Sequence, residues 1–243
     1  MIKGIYTSAS GMIPLVRKQE ASANNLANVG SPGFKRDAVF IRELSRAQQK
    51  LATRKSDWEQ PMLDDLYTDY SPGVFSKTGN PLDMAIEGDG FFNLQLDDGT
   101  TVLTRSGTFT VNADGMLAFP GGALVMGEGG PIEVGNGQIS VAQDGAIEVD
   151  GLEVARIVPQ TVDDLEKLEK IGGSLFAVPK GVSLKPVEYS TIRQGFLEQA
   201  NVDIVSEMID MIVSFRSYEA DARSIQTQDR SLENLFGRVG SGQ

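Results

Sequence analysis

The sequence predicts an α+β protein, in which helices at both ends of the chain pair in a coiled-coil-like manner and flank an inserted antiparallel β domain. Near both termini, apolar residues recur at intervals of three and four, as is typical of helices. In the middle, short β-prone runs alternate with the Asp-Gly and Asn-Gly dipeptides of tight hairpin turns. The expected regions are an N-terminal helix and turn (1–34), a basic extended linker (35–71), the β domain (72–195) and a C-terminal helix (196–243).

The N-terminal helix is predicted from one apolar seam, at positions 2, 5, 9, 12, 16, 19, 23 and 26, which only Gln19 interrupts. Pro14 lies within it, so we expect either a kink or a fresh helix start there. Asparagines then crowd the end of the segment, although asparagine favours caps and turns over helix interiors. We expect Asn28 or Gly30 to end the helix, and Asn24 and Asn25 to form hydrogen bonds at a subunit contact.

The C-terminal helix is predicted over roughly residues 200 to 235, with a second seam that Val205, Ile209 and Ile212 widen in its first half. The N-terminal seam has eight positions, whereas the C-terminal seam has ten. Pairing of the two seams within the chain would therefore leave apolar surface for another subunit to cover. The predicted assembly residues are Ile5, Met12, Val16, Asn24, Asn25, Leu26 and Asn28 in the first helix and Asn201, Ile204, Met208, Met211, Phe215, Tyr218 and Ile225 in the second. The predicted turn between helix and linker contains Pro32, Gly33 and Phe34.

The β domain is predicted from its turn dipeptides, which supply the positive-φ residues of hairpins; they begin at Asp89, Asp98, Asp114, Asn136, Asp144 and Asp150. One short helix over 162–170 is expected to interrupt the strands, because acidic residues come at its start and lysines later.

The linker has the opposite charge to the rest of the chain. Residues 35–55 carry a net charge of +5 within a total of −11. Arg42, Arg46, Lys50 and Arg54 recur every four residues and would form one basic helical face. This face is either solvated or placed against the acidic surface of a neighbouring copy.

Composition excludes several classes of function. The chain has no histidine and no cysteine, so serine–histidine and cysteine–histidine catalysis and the usual zinc sites are excluded. The glycines from Gly88 lack the third glycine of a dinucleotide loop, and the acidic pairs are typical of solvated turns. We therefore expect no enzyme activity, no cofactor and no metal. Net negative charge disfavours nucleic acid as a partner. We also expect no cleavable signal peptide, because small polar residues interrupt the apolar run of residues 1–16, and no membrane insertion, because no run of about 18 apolar residues is present.

Six motifs in order along the chain resemble the bacterial flagellar basal-body rod and hook proteins. They are SASGM at 8–12, NNLANVGSPGFKR at 24–36, SPG at 71–73, TGNPLDMAIEGDGFF at 78–92, TRSGTF at 104–109 and GFLEQANVDIVSEMIDMIVSFRSYE at 195–219. Residues 120–190 resemble the family only in their general β-rich composition and contain no specific motif. Within the family, the fourth and fifth motifs are more similar to rod proteins with a β domain than to the small rod subunits without one.

The resemblance implies a structural subunit whose terminal helices lie in an inner tube, with the β domain outside. Its partners would be copies of itself, other rod and hook proteins, and the flagellar export apparatus, through which family members leave the cell without a cleaved signal. The resemblance favours the proximal rod type, with a distal rod or hook-type subunit as the alternative. A secreted β-domain enzyme or binding module is a remote alternative.

Overall fold

The computed structural model describes residues 2–42, 62–135, 137–187 and 189–240. It divides the chain into two compact units, one made of residues 1–27, 37–69 and 203–243 and the other of residues 28–36 and 70–202. The first unit is called the helical unit below, and the second the β unit. The domain boundaries expected from the sequence stay a prediction.

In its described residues, the helical unit contains two long helices and one two-stranded sheet. Helix α1 (Ile2–Ala27) contacts helix α2 (Ile204–Gly240), and strand β1 (Asp37–Arg42) pairs antiparallel with strand β2 (Met62–Thr68). Strand β1 also contacts α1. Pro14 lies inside α1, which continues through it as one helix, so the fresh helix start is not present and the kink stays a prediction.

The β unit is built from short antiparallel strands. Its largest sheet has eight strands in the order β15-β16-β6-β5-β9-β8-β7, with β10 beside β9. These strands are β5 (Phe92–Gln95), β6 (Thr101–Thr104), β7 (Thr110–Val111), β8 (Leu117–Ala118), β9 (Leu124–Gly127), β10 (Gly130–Pro131), β15 (Glu169–Gly172) and β16 (Leu175–Ala177).

The other strands of the β unit form smaller sheets. Three follow one another along the chain as a meander: β11 (Ile139–Val141), β12 (Ala146–Val149) and β13 (Leu152–Arg156). Three pairs complete the unit: β3 (Phe75–Lys77) with β19 (Phe196–Glu198), β4 (Met84–Glu87) with β18 (Thr191–Gln194), and β14 (Gln160–Thr161) with β17 (Lys185–Pro186). The α+β class is thus confirmed, with a helix near each end of the chain.

Apolar side chains pack on both sides of the chain over residues 91–94, where β5 begins, because successive residues of an extended chain point to opposite sides. Phe92 and Leu94 belong to the larger core cluster, whereas Phe91 belongs to a second cluster with Leu103 and Phe176. All five side chains are at most 3% exposed. Since burying one such side chain stabilises the fold by about 1.5–3 kcal/mol, these two cores anchor the β unit.

Asp-Gly dipeptides form hairpin turns where the sequence predicts them in four cases. Gly99, Gly115, Gly145 and Gly151 all have positive φ and connect strands that pair with each other. The turn expected at Asp89 is different, because the strands it connects, β4 and β5, pair with other strands. Asn136 lies outside the described residues.

Two further expectations about local structure are wrong. The helix expected over 162–170 is a single 3₁₀ turn, Leu165–Lys167, and β15 begins immediately afterwards. Val162 and Leu168 are buried in the second core cluster, so tertiary packing overrides the helical charge pattern there. Arg42, expected on a basic helical face, ends strand β1, while Arg46, Lys50 and Arg54 lie outside the described residues.

Candidate assembly surface

The two helices run antiparallel and touch through small and polar residues. A Cβ added to Gly4 would lie 2.5 Å from Gln228 Oε1, and one added to Gly11 would lie 3.5 Å from Asp221 Oδ2. Further along, Lys18 Nζ lies 2.8 Å from Asp210 Oδ1, and Asn25 Nδ2 donates to Glu207 Oε1 at 3.1 Å. We call these eight residues the polar seam: Gly4, Gly11, Lys18, Asn25, Glu207, Asp210, Asp221 and Gln228.

The asparagine at the end of α1 holds three parts of the helical unit together. Asn25 is 1% exposed, and its Nδ2 donates to the Asp37 carbonyl at 2.8 Å as well as to Glu207. Its Oδ1 accepts from the Asp37 backbone N–H at 2.8 Å, and the Asp37 carboxylate accepts from Thr68 Oγ1 at 2.9 Å. An amide suits this position because it donates and accepts at once. All the hydrogen bonds of Asn25 described here are therefore to groups of its own chain. Its contact with a second subunit stays a prediction.

The first three turns of α2 carry exposed apolar side chains. Seven of them, between 46% and 64% exposed, are called the outer apolar stripe: Ile204, Val205, Met208, Ile209, Ile212, Val213 and Phe215. Over 216–234 the exposed residues are polar or charged, apart from Ala220. A helix that is apolar on most sides is normally buried. The stripe is therefore a candidate surface for contact with another protein.

The structure distributes the predicted assembly residues over different environments. Three of those in α2, Ile204, Met208 and Phe215, lie in the outer apolar stripe, and Val16 in α1 is 38% exposed. Asn24 is also exposed. The partly buried ones are Ile5, Met12, Leu26, Asn28, Asn201, Met211, Tyr218 and Ile225.

Sequence reasoning missed the polar seam. A signal was present, because Gly4, Gly11, Lys18 and Asn25 are each seven residues apart and so share one helical face. Apolar periodicity pointed instead to the face that carries Val16. The two helices do contact each other, and their coiled-coil-like pairing through the two apolar seams stays a prediction.

The turn after α1 is anchored in the β unit. Gly33 has φ +68, and a Cβ there would collide with the backbone of Arg105 and Ser106, so glycine is required. Phe34 is 1% exposed, with the Lys170 ammonium 4.0 Å from its ring centroid. The carbonyl of Pro32 accepts from Ser174 Oγ at 3.0 Å. The predicted turn residues thus have a structural role inside this unit.

A buried charge cluster follows the turn. Lys35 Nζ lies 2.6 Å from Glu198 Oε1, and Arg105 Nη1 lies 3.4 Å from Glu198 Oε2; all three side chains are at most 6% exposed. Lys35 also donates to the Ser71 carbonyl at 2.7 Å, and the Gly73 N–H donates to Glu198 at 3.0 Å. Burial lowers the pKa of Arg105, which Glu198 partly offsets. One carboxylate therefore ties together four segments of the β unit.

Asn201 was expected in the second helix, but it precedes α2 and belongs to the β unit. Its Oδ1 accepts from the Arg36 backbone N–H at 2.7 Å, and its Nδ2 donates to the Ser71 carbonyl at 3.1 Å. It joins the same segments as the charge cluster. Its predicted role at a subunit contact stays a prediction.

Comparison with known families gives three matches in chain order. Residues 5–35 match the flagella basal body rod protein model, residues 85–149 the flagellar hook protein FlgE/F/G D1 domain, and residues 193–236 the flagellar basal body rod FlgEFG protein C-terminal model. The first and third matches include parts of the two helices, and the second lies within the β unit. None of the helices in the described ranges is long and apolar enough to cross a membrane.

Full-length relatives agree with these matches. The chain is 31% identical to the flagellar basal-body rod protein FlgF of Caulobacter vibrioides, over 99% of both chains. It is 29% identical to the rod protein FlgG of Bacillus subtilis, over 97% of this chain and 98% of that one. It is 27% identical to the flagellar hook-basal body complex protein FlhO of Bacillus subtilis, over 99% of both. Its relatives are structural proteins, so the enzyme alternative is wrong, and the chain belongs to the flagellar basal-body rod and hook protein family.

Proposed function

We propose that this protein is a subunit of the flagellar rod that polymerises helically through its terminal helices and forms part of the axial drive shaft. The observation that carries the proposal is the outer apolar stripe, which lies within the family's matched C-terminal region. Large exposed apolar patches on a folded protein mark interaction sites. The occupant we propose is a neighbouring subunit, either another copy or a related rod or hook protein.

Helical growth requires an interface that does not close on itself. When two different surfaces of one subunit meet, head-to-tail contacts propagate as a filament unless rotation closes a ring. One such surface is the outer apolar stripe on α2, and a different one is formed by the exposed apolar residues Ile13 and Val16 on α1. If each surface contacts a different neighbouring subunit, successive subunits would extend a tube.

Within the family we propose the proximal rod type, FlgF, as the subunit identity. The match to the Caulobacter FlgF supports it, and the chain shows no glutamine-rich segment in 37–71 of the kind associated with the distal type. An FlgG-type distal rod or hook-type subunit is the alternative, because FlgG relatives match over a similar share of the chain. Export through the flagellar type III channel without a cleaved signal is part of the same proposal.

Crosslinking in isolated basal bodies tests the proposal. The chain has no cysteine, so a single Ile209→Cys substitution places one thiol in the outer apolar stripe. We expect this thiol, once labelled with a thiol-reactive photocrosslinker, to crosslink to neighbouring rod subunits on illumination, and mass spectrometry of the linked peptides identifies them. The same label at an exposed position outside the stripe, Gln226→Cys, is the control. Crosslinks from Gln226→Cys but none from Ile209→Cys would argue against the stripe as the interface.

Helix order is expected to increase on assembly, because isolated amphipathic helices are marginal in water and gain stability from packing. Terminal segments that are not fully helical before assembly would also pass more easily through an export channel. Far-ultraviolet circular dichroism of the dilute monomer and the polymer compares the two states. We expect a stronger helical signal per residue in the polymer, whereas equal signals would contradict coupled folding.

A further inference from the structure

The way in which α1 lies on α2 leaves apolar side chains of both helices exposed. Pairing the faces that carry Val16 and Phe215 would remove these side chains from water, and burying a side chain of that kind contributes about 1.5–3 kcal/mol. The structure instead leaves Val16 and Phe215 exposed and joins the helices through the polar seam. Some other interaction therefore selects the observed arrangement.

The polar seam includes one buried polar pair that forms a hydrogen bond between the two helices in this arrangement. Asn25 and Glu207 are 1% and 3% exposed and bond to each other, and leaving either unpaired inside the protein would be costly. Lys18 and Asp210 form an ion pair two helical turns from Asn25. At Gly4 only a glycine leaves room for Gln228 without a shift. Sliding α1 by one turn, or rolling its apolar face inward, would break these contacts.

We infer that the polar seam, rather than apolar burial, sets the register and facing of α1 on α2, and so keeps Val16 and the outer apolar stripe turned outward. Polar residues within a helix contact commonly specify register at a cost in stability. Here the specified arrangement leaves the outer apolar stripe available for other subunits. The use of the stripe rests on the proposed function, but the role of the seam does not.

A charge swap within the full chain tests the inference. Two pairs of introduced cysteines report which faces of the helices meet, and a short bifunctional thiol reagent crosslinks them in the dilute monomer. The first pair, Gly11→Cys with Asp221→Cys, lies in the polar seam. The second pair, Val16→Cys with Phe215→Cys, lies on the apolar faces. With Lys18, Asn25, Glu207 and Asp210 unchanged, we expect intrachain crosslinks from the first pair and not from the second. Lys18→Asp, which places two carboxylates together, is expected to lower the seam crosslink several-fold.

The double variant Lys18→Asp with Asp210→Lys restores opposite charges and is expected to recover the seam crosslink. Recovery supports register control by charge even if the single variant is partly unfolded, since simple loss of packing would not be rescued. An unchanged crosslink in Lys18→Asp, or no recovery in the swap, would overturn the inference. Because crosslinks are read in the monomer and assembly is read by sedimentation, failure of the seam and failure of the assembly proposal are distinguishable.

Discussion

Replacing Met208 with aspartate is expected to abolish assembly while leaving the β unit folded. Met208 is 49% exposed in the single chain, so a carboxylate is tolerated there in the monomer. In a packed interface the same charge would be buried without a partner, at a cost of several kcal/mol. Since about 1.4 kcal/mol is a tenfold change in affinity, subunit addition should weaken by about a hundredfold or more. Sedimentation of the purified chain and incorporation into basal bodies both measure this.

The matched control for Met208→Asp is Gln226→Asp, an exposed position in the half of α2 where the exposed residues are polar. It introduces the same side chain into the same helix, so it corrects for changes in helix propensity and net charge. Ile204→Asp is a second stripe variant and should behave like Met208→Asp. Met211→Asp is a less selective probe, because Met211 is partly buried and its loss would also disturb the helical unit. Normal incorporation of both stripe variants would show that the assembly surface lies elsewhere.

Replacing Glu198 with alanine is expected to destabilise the β unit by about 3–5 kcal/mol, because it leaves Lys35 and Arg105 buried without their carboxylate. The Gly73 N–H and the Lys35 ammonium would each lose a hydrogen-bond acceptor. Urea unfolding followed by near-ultraviolet circular dichroism gives the free energy of unfolding.

Glu153→Ala is the matched control for Glu198→Ala. Glu153 pairs with Arg156 at 3.1 Å, but its side chain is 52% exposed, and exposed ion pairs contribute only about 0–1 kcal/mol. The contrast separates burial from simple loss of an ion pair. Equal unfolding midpoints for the two variants would mean that the buried cluster is not a major source of stability.

Local patterns predicted much of the fold from the sequence. Four Asp-Gly turns and both helices follow from dihedral preferences and periodicity, which act over a few residues. The 3₁₀ turn Leu165–Lys167 was missed, because packing of Leu168 into a core decides that segment and no local pattern records it. Periodicity located the helices, but it did not indicate the polar contacts Lys18–Asp210 and Asn25–Glu207 between them.

The buried charges were the least predictable part of the candidate site. Lysine, glutamate and arginine are almost never fully buried unless paired, so the sequence gives no reason to place Lys35 or Glu198 inside the protein. Their pairing depends on tertiary contacts between distant segments. The outer apolar stripe was easier to predict, because Ile204, Met208 and Phe215 recur at helical spacing in the sequence. Only the structure shows which side of helix α2 remains exposed.

The Lys35–Glu198 pair also constrains the order in which the chain folds. Its two residues are 163 positions apart, so the Lys35–Glu198 pair cannot form until the last fifth of the chain is available. The neighbouring Gly33 N–H likewise waits for the carbonyl of Glu198, at 2.7 Å in the finished fold. Contacts of such long sequence separation slow folding, because loop closure must precede them. A chain that emerges from its N-terminus therefore completes the β unit only near the end, and stays incompletely folded until then.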